Sequence, residues 1–296
     1  MLLADGFEVV VVDDLSTGDA ARVADEAAVE VLDITDSALL DRAFDAAAPS
    51  VVFHLAAQAS VTVSVKTPQR DCRVNVEGTL NVLQAATRHQ AQVIVTSTGG
   101  ALYGDRAPIP TPETWIPAPI SPYGASKWAA EAYIVTWRES TGIPHTVCRL
   151  GNVYGPRQNP HGEAGVVAIF SHQLWRGEAP TLFGFGKPTR DYVHVHDVAR
   201  ALLSAQGTPG TFNISGGREA TVQDVFDGLQ EAAGTDLEPV LAPLREGELE
   251  RSCIDPGSAA RELGWHADIG LRDGLRDTYR ALVATFESAA GASDAR

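Results

Sequence analysis

The chain has 296 residues, of which 44% are hydrophobic and 21% are charged, and its formal net charge is −15. This length and composition predict one large globular domain, or one domain with a smaller lobe. An acidic surface repels phosphate groups, which argues against nucleic acid and anionic membranes as partners, and the lack of an apolar run of about 18 residues predicts no membrane span.

Strand-like and helical patterns alternate through the first half of the chain. The strand patterns lie at residues 7–13, 29–32, 50–55, 91–97 and 145–150, and the helical patterns lie at 36–47, 68–89 and 123–140. Residues 7–13 are apolar almost throughout, which is typical of a buried strand in a parallel sheet. The alternation predicts a doubly wound α/β fold of the Rossmann type, with helices on both faces of a parallel sheet.

The pattern changes after about Gly155. Short strands at 181–183 and 211–214 mix with helices near 163–176, 196–206, 221–233 and 271–286. We therefore predict a sheet domain at 1–155 and a smaller α/β lobe at 156–296, some segments of which return to the sheet. Ligands of open α/β sheets bind at the carboxyl ends of the strands, so the site is expected at that edge.

The segment SPYGASKWAAEAY, residues 121–133, carries the strongest chemical signal. Tyr123 and Lys127 are four residues apart on a predicted helix, so both side chains project from one face. An ammonium group beside a phenol favours the phenolate. A phenolate in this position can take a proton from a substrate hydroxyl while hydride leaves the same carbon. A chance surface pair is the alternative, but the chain has only three lysines and six tyrosines.

The cysteines and histidines give no metal-binding pattern. The three cysteines are scattered, with no two at ligand spacing, and they predict reduced thiols and a cytoplasmic location. His54, His194 and His196 fall on predicted strands. We interpret them as core residues, because no carboxylate or thiol completes a ligand set.

Several segments together resemble one known family. Tyr123 and Lys127, preceded by TSTGGALYG at 96–104, resemble the extended short-chain dehydrogenase/reductase superfamily. Four later segments are similar to its NAD-dependent epimerase/dehydratase branch, and most to bacterial UDP-glucose 4-epimerases: RLGNVYGPRQ, GEAGVVAIF, FGFGKPTRDYVHVHDVARA and REGELERSCID. The resemblance covers essentially the whole chain.

The resemblance implies that NAD binds to the domain at 1–155. Asp13, at the end of the first strand, would hold the adenosine ribose, and an acid there selects NAD over NADP. Lys127 would also bond the nicotinamide ribose. The residues implied for NAD are Asp13, Asp14, Ser16, Asp33, Ile34, Leu55, Ala56, Ala57, Gln58, Asn75, Ser97, Tyr123 and Lys127.

The resemblance also implies a UDP-sugar as substrate. Arg190 and Arg245 would clamp the two phosphates, because guanidinium groups suit oxyanions. In many relatives a Ser or Thr that bonds the reacting hydroxyl occupies the position that is Gly99 here. We therefore assign that role to Thr98, with Ser97 as the alternative, beside the catalytic Tyr123 and Lys127. The residues implied for the substrate are Thr98, Asn152, Gly165, Val166, Arg190, Arg245, Glu248 and Ser252.

The chain departs from the family at its beginning. Leu2-Leu3-Ala4 read as the end of a helix, with Gly6 as its C-terminal cap. The family's first strand, glycine-rich turn and helix N-terminus, which receive the pyrophosphate, would come before this point. We expect about 20 further residues before Met1 in the functional protein. Without that central strand, two sheet edges would be left unpaired.

These observations predict an isomerase that epimerises C4 of UDP-glucose and UDP-galactose with NAD, through a 4-keto intermediate. Gly99 and Gly100 stand where the similar 4,6-dehydratases carry an Asp-Glu pair for the elimination of water. In the family that the chain resembles, the residue seven positions after the arginine that corresponds to Arg245 gates the space for N-acetylated sugars. That residue is Ser252 here, and its small side chain implies that UDP-GlcNAc and UDP-GalNAc are substrates too. The alternatives are another NAD-dependent sugar-nucleotide epimerase or reductase, for example on a uronic acid, and a non-catalytic NAD- or nucleotide-binding protein.

The family commonly forms homodimers through two long helices of each subunit. The helices at 68–89 and 123–140 are the candidates here. Their apolar residues are explained equally well as core residues: Leu80, Val82, Leu83, Trp128, Tyr133 and Trp137.

Overall fold

The computed structural model describes residues 1–160, 165–245 and 248–294. The chain forms two compact units. Unit 1 comprises Met1–Ser97, Pro119–Val147 and Gln206–Gly210, and unit 2 comprises Thr98–Ala118, Cys148–Ala205 and Thr211–Arg296.

Strands and helices alternate through the first 150 residues, as the sequence predicts. They are β1 (Val10–Asp13), β2 (Ala28–Val31), α1 (Ser37–Ala47), β3 (Val51–His54), α2 (Val61–Lys66), α3 (Pro68–Cys72), α4 (Gly78–Arg88), β4 (Gln92–Thr98), α5 (Pro122–Thr141) and β5 (Thr146–Leu150). Before β1, Gly6 caps a short 3-10 turn in the left-handed region, at φ 82°. Glycine adopts this conformation without the cost that a Cβ would add.

The strands of this part pair in parallel. β1 pairs with β2, and β3 and β4 pair in a four-stranded sheet of order β3-β4-β5-β9, where β9 is Gly210–Ile214. Among the described residues, β1 and β3 each have a ladder partner on one side only. The sequence predicts a buried β1, and this is wrong: Val10 is exposed and the rest of the strand is half-buried, which fits a strand with one paired edge.

The helix predicted at 68–89 forms as one run with a π turn at its centre. The π turn, Arg73–Glu77, follows α3 directly and leads into α4. It buries Asn75, while Asp71 is buried on the preceding turn. Such turns widen one step of a helix and are frequent at functional sites.

Unit 1 has one apolar core between its helices and strands. It includes Leu40 and Phe44 of α1, Val82 and Leu83 of α4, and Ile134 of α5. Val93 and Val95 of β4 pack into the same cluster. This burial of apolar surface is what holds the helices against the parallel strands.

The elements of the second half are shorter, as predicted. They are β6 (Asn152–Tyr154), α6 (Val166–Trp175), β7 (Thr181–Phe183), β8 (Thr189–His194), α7 (Val195–Ser204), β10 (Glu219–Thr221), α8 (Val222–Ala233), β11 (Val240–Ala242), α9 (Gly257–Glu262) and α10 (Leu271–Asp294). They form a three-stranded sheet of order β10-β8-β6 and a parallel β11-β7 pair. A second core joins α6, α8 and α10, with Phe170, Phe226 and Leu275 among its buried residues.

The described residues contain no helix that is both long enough and apolar enough to cross a membrane. The three cysteines are free: Cys72 is exposed, and Cys148 and Cys253 are buried. His54 and His194 are buried, as the core interpretation predicts. For His196 that interpretation is wrong, because its side chain is exposed in the first turn of α7. Within the described ranges no group of three acidic, cysteine or histidine side chains is placed to hold a metal ion.

Candidate active site

The predicted cofactor residues of unit 1 lie at the carboxyl ends of its parallel strands. Asp13 ends β1, Asp33 comes two residues after β2, Leu55 follows β3 directly, and Ser97 is the last residue but one of β4. Parallel strands present their carboxyl ends at one edge of a ladder. Each pair, β1 with β2 and β3 with β4, therefore brings two predicted residues to the same edge.

The segment after β1 folds back on the carboxylate of Asp13. The amide of Leu15 donates to Asp13 Oδ1 at 2.7 Å. Gly18 lies so close that a Cβ there would be 2.8 Å from the same oxygen, so a larger residue at this position would displace the Asp13 carboxylate. Asp14 instead accepts from the amide and hydroxyl of Ser16, and these hydrogen bonds lower the pKa of Asp14.

The residues after β2 point in two directions. Asp33 is exposed and its Oδ1 accepts from the amide of Thr35 at 2.8 Å. The Ile34 side chain is only 7% exposed and belongs to the core of unit 1, where it packs against Gly78. Of these two predicted residues, the structure therefore leaves only the Asp33 side chain open to a ligand.

A buried network fixes the loop after β3 to the long helix. The amide of Gln58 donates to Asn75 Oδ1 at 2.8 Å, and Asn75 Nδ2 donates back to the Gln58 carbonyl at 3.0 Å. Asn75 Nδ2 also reaches Ser126 Oγ on α5, at 3.0 Å. Leu55 and Ala56, which begin the same loop, are exposed. The structure thus brings together Gln58 and Asn75, which are 17 residues apart in sequence.

The first turn of α5 presents Tyr123. The helix begins with Ser121, whose hydroxyl accepts from the amide of Gly124 at 3.2 Å, and Pro122 takes the first helical position. Both are typical of helix starts. Tyr123 is half-buried, and negative charge in the first turn of a helix is stabilised by the helix dipole.

Lys127 is buried one turn after Tyr123. Its side chain is 7% exposed, and Nζ donates to the carbonyl of Thr96 in β4 at 2.9 Å. Burial lowers the pKa of Lys127 to about 8, although the nearby carboxylates of Glu131 and Asp71 act in the opposite direction. The hydrogen bond to β4 fixes the ammonium at the end of the strand that also carries Ser97.

The two candidate hydroxyls at the end of β4 differ in their surroundings. Ser97 Oγ is buried and has no hydrogen-bond partner among the described residues. Thr98 Oγ1, in unit 2, already accepts from the amide of Ala101 at 3.2 Å. A buried hydroxyl without a partner costs free energy, so Ser97 is the one that a ligand would satisfy.

The predicted substrate residues belong to unit 2, where β8 organises two of them. Arg190 Nη1 donates to the carbonyl of Thr189 at 2.8 Å. The amide of Ser252 donates to the same carbonyl at 3.2 Å. The structure therefore places Ser252 and Arg190 around one carbonyl group, although they are 62 residues apart in sequence.

Arg245 lies over an aromatic ring in unit 2. Its guanidinium carbon is 3.8 Å from the ring centroid of Phe183, and Nη1 is 3.6 Å from Glu248 Oε1. Asn152 begins β6 and is paired with Tyr192 of β8. Gly165 and Val166 are the N-cap and the first residue of α6. The contacts of Arg245 and Arg190 are with protein groups, and the predicted two-arginine clamp stays a prediction.

In each unit, several residues that contact or neighbour the predicted ones were not themselves predicted from the sequence. Asp71 and Ser126 belong to the network around Asn75, and Glu131 is buried one turn after Lys127. Asp191 in β8 is buried and accepts from the amide of Ile254 at 3.2 Å, and its burial raises its pKa. The four-residue spacings 71–75 and 127–131 are the signals that could have indicated Asp71 and Glu131.

The fold and the site of unit 1 define a class of protein. Parallel strands alternate with helices, an acid ends the first strand, and a helix bears Tyr123 with a buried Lys127 one turn on. This arrangement is that of a dinucleotide-dependent enzyme of the short-chain dehydrogenase/reductase type. The model of the NAD dependent epimerase/dehydratase family matches residues 1–215, and the chain belongs to this family.

Individual relatives agree with this assignment. The UDP-glucose 4-epimerase of Mycolicibacterium smegmatis is 41% identical over 286 residues, which are 94% of this chain and 91% of that protein. The crystal structure of UDP-glucose 4-epimerase with UDP-glucose from Thermotoga maritima has a TM-score of 0.94 at 44% identity, and the match covers 96% of this chain and 94% of that one. The NAD complex of the UDP-glucose 4-epimerase from Thermus thermophilus has a TM-score of 0.88 at 41% identity, with 95% and 93% covered.

These findings confirm four of the sequence predictions. They are the Rossmann-type α/β fold, the family, the class of enzyme and the use of NAD. The residues of unit 1 also fit NAD. The backbone at Gly18 closes over the acid that ends β1, Ser97 Oγ is buried without a partner among the described residues, and Lys127 supplies a fixed ammonium.

Proposed function

We propose that this protein is an NAD-dependent 4-epimerase that interconverts UDP-glucose and UDP-galactose. The observation that carries the proposal is the buried Lys127, held to the Thr96 carbonyl at the end of β4 one helical turn after Tyr123. A structural lysine would not need this position, since a buried ammonium is costly. The similarity to UDP-glucose 4-epimerases, including one solved with UDP-glucose, supports the choice of sugar.

In the proposed reaction Tyr123 is the general base and acid. Its phenolate takes the proton of the sugar 4-hydroxyl and later returns it, while the ammonium of Lys127 stabilises the phenolate charge. Bound NAD would supply the hydride acceptor and donor for C4. Asp13 and Asp33 would hold the cofactor's adenosine end, and Gln58 and Asn75 would position the loop at the nicotinamide end.

The substrate would be held through its diphosphate. Arg190 and Arg245 are proposed to bind the two phosphates, since a guanidinium group matches an oxyanion. Asn152, Gly165, Val166 and Glu248 complete the proposed contacts. Thr98 or Ser97 would orient the reacting hydroxyl, and the unpartnered Ser97 Oγ supports Ser97. Residues 1–155 would thus serve NAD and residues 156–296 mainly the substrate.

A 4,6-dehydratase is disfavoured by the residues after Thr98. Elimination of water needs an acid and a base beside the oxidised sugar, and glycines occupy positions 99 and 100. Gly99 is tightly enclosed, because a Cβ there would collide with Ile254 and lie 3.3 Å from the Leu150 carbonyl. This packing supports epimerisation over elimination.

The test is conversion of UDP-galactose to UDP-glucose by the purified protein, followed with a coupled assay, with and without added NAD⁺. We expect turnover that Tyr123→Phe lowers by about 10²–10⁴-fold. Tyr133→Phe is the matched control, because it removes only the hydroxyl of an exposed tyrosine on the same helix and retains the aromatic ring that a subunit contact through α5 would use. Turnover of UDP-glucuronate alone would favour the uronic acid epimerase, and binding of NAD and UDP-sugar without turnover would favour a non-catalytic protein.

Two further features of the proposal concern assembly and location. We propose a homodimer through the helices at 68–89 and 123–140. Val82 and Leu83 are core residues, but Trp128 and Tyr133 on α5 are about 40% exposed, which supports a contact through α5. Cytoplasmic location stays a prediction from the free cysteines.

A further inference from the structure

The ammonium of Lys127 is a costly group to bury, and the structure suggests what stabilises it. Lys127 is 7% exposed and its Nζ donates to the Thr96 carbonyl. A lysine ammonium carries three donors and a full positive charge. Burial of such a charge is tolerated when opposite charges and hydrogen bonds compensate for lost water.

Glu131 is the first compensating group. It follows Lys127 by four residues on α5, so the two side chains share one face of the helix. Glu131 is itself 4% exposed, which is unusual for a glutamate. Its charge raises the pKa of Lys127, against the lowering caused by burial.

Asp71 on α3 is the second compensating group. It is 1% exposed, and its Oδ1 accepts from Gln58 Nε2 at 2.7 Å and from Asn75 Nδ2 at 3.2 Å. Asp71 Oδ2 is buried with no hydrogen-bond partner among the described residues. Asn75 Nδ2, which donates to Asp71, also donates to Ser126 Oγ at 3.0 Å, and Ser126 directly precedes Lys127 on α5. Asp71 therefore lies beside the turn of α5 that carries the ammonium, and its charge likewise raises the pKa of Lys127.

The other titratable groups around Lys127 add little charge. His54 on β3 is buried and neutral, because burial and then the charge of Lys127 lower its pKa to about 3. The ionic side chains of α2, of the rest of α3 and of the π turn are exposed: Lys66, Arg70, Arg73 and Glu77. Lys127 is therefore flanked by two buried carboxylates, with Tyr123 one turn before it.

We propose that Asp71 and Glu131 are positioning residues that keep Lys127 in its ammonium form. Asp71 has a second task, since its hydrogen bonds also join the Gln58 loop to Asn75. The consequence for catalysis rests on the proposed function: the ammonium that supports the Tyr123 phenolate persists to higher pH than burial alone would permit. Loss of either carboxylate would move the alkaline limit of activity to lower pH.

The charge of Lys127 can be measured without activity, because the chain has only three lysines. We suggest NMR titration of the full chain labelled with [¹³Cε]lysine, with the Lys66 and Lys187 signals assigned by Lys66→Arg and Lys187→Arg. In the parent chain the Lys127 signal should titrate near pH 8. In Asp71→Asn and in Glu131→Gln the titration midpoint of the Lys127 signal should fall by about 1 pH unit.

Two control variants make the result decisive. Glu139→Gln removes an exposed carboxylate on the same helix and should leave the Lys127 midpoint unchanged. Glu131→Asp retains the negative charge, so its Lys127 midpoint should lie close to that of the parent chain. An unchanged midpoint in both Asp71→Asn and Glu131→Gln overturns the proposal, even if both variants lose turnover, because that result would mean a purely structural role. If Asp71→Asn does not fold, the Glu131→Gln and Glu131→Asp pair decides alone.

The same measurement separates this proposal from the proposed function. A shifted midpoint in a protein that does not epimerise any UDP-sugar would refute the function and leave the electrostatic role intact. If the enzyme is active and its Lys127 midpoint is unchanged in both Asp71→Asn and Glu131→Gln, the proposed function stands and the electrostatic role is refuted. In an active enzyme, the alkaline limb of kcat should move to lower pH in step with the NMR midpoint.

Discussion

Replacement of Lys127 by methionine should remove a defined part of the pH dependence of the protein's stability. In the folded chain the pKa of Lys127 is lowered to about 8, against 10.5 for an ordinary lysine, mainly by burial. This difference corresponds to about 3 kcal/mol. Below pH 8 both folded and unfolded chains carry the ammonium, and the folded chain bears this full cost.

The direction of the change of stability with pH follows from the number of protons bound in each state. Between pH 8 and 10.5 the unfolded chain holds the proton and the folded chain releases it, so stability rises with pH. Lys127→Met has a similar side-chain length and no charge, and it lacks this rise. The free energy of unfolding of Lys127→Met relative to the parent should therefore fall by about 2–3 kcal/mol between about pH 7 and about pH 10.

Urea denaturation at several pH values in this range measures the effect, with tryptophan fluorescence as the signal. Lys66→Met is the matched control, because Lys66 is exposed, and its difference from the parent should stay nearly constant. Contributions that do not change with pH, such as the lost hydrogen bond to Thr96, cancel when the difference between Lys127→Met and the parent at one pH is compared with that at another. A difference for Lys127→Met that stays level across this pH range would refute the buried-ammonium argument.

Three other predictions concern substrate range, backbone strain and thiol accessibility. Ser252→Tyr should abolish turnover of UDP-GalNAc and spare that of UDP-galactose; equal loss on both, in the coupled assay, would contradict the gating role. Gly104→Ala should lower the free energy of unfolding by more than about 2 kcal/mol, because φ is +77° and the new Cβ would be 2.5 Å from a carbonyl oxygen. Gly142→Ala, with φ +73° and no atom within 4 Å, should lose only about 1 kcal/mol, and similar losses in both would count against the collision. A thiol-exchange reagent at about pH 8 should modify Cys72 alone in the native protein, because burial raises the pKa of Cys148 to about 12. Rapid reaction of a second thiol in the folded protein would show that Cys148 or Cys253 is accessible and would contradict its burial.

The sequence predicted the alternating elements and the residues that carry the strongest chemical pattern. The strand at 181–183 and the helix around 123–140 were placed within a residue or two, because their periodicity and capping signals are local. Tyr123 and Lys127 could be paired for the same reason, since a four-residue spacing on a helix brings two side chains together wherever the helix packs.

The burial of individual strands and helix turns could not be predicted from the sequence, because it depends on contacts with distant segments of the chain. β1 has the composition of a buried strand, yet Val10 is exposed, because burial depends on which other segments pair with its edges. The family resemblance likewise assigns Ile34 to the cofactor, but its side chain fills the core beside Gly78. The π turn at Arg73–Glu77 left no clear pattern in the sequence, and it lies between the buried Asp71 and the helix that follows.

The sequence by itself therefore determined the types of secondary structure, the family and the Tyr123–Lys127 pair, because each depends on residues close together in the chain. Only the tertiary structure decided that the ammonium is buried, that it bonds to the Thr96 carbonyl 31 residues away, and that Asp71 lies in the same electrostatic environment. The cost of burying a charge depends on the atoms that replace water around it. Those atoms come from distant parts of the chain and are brought together only by folding.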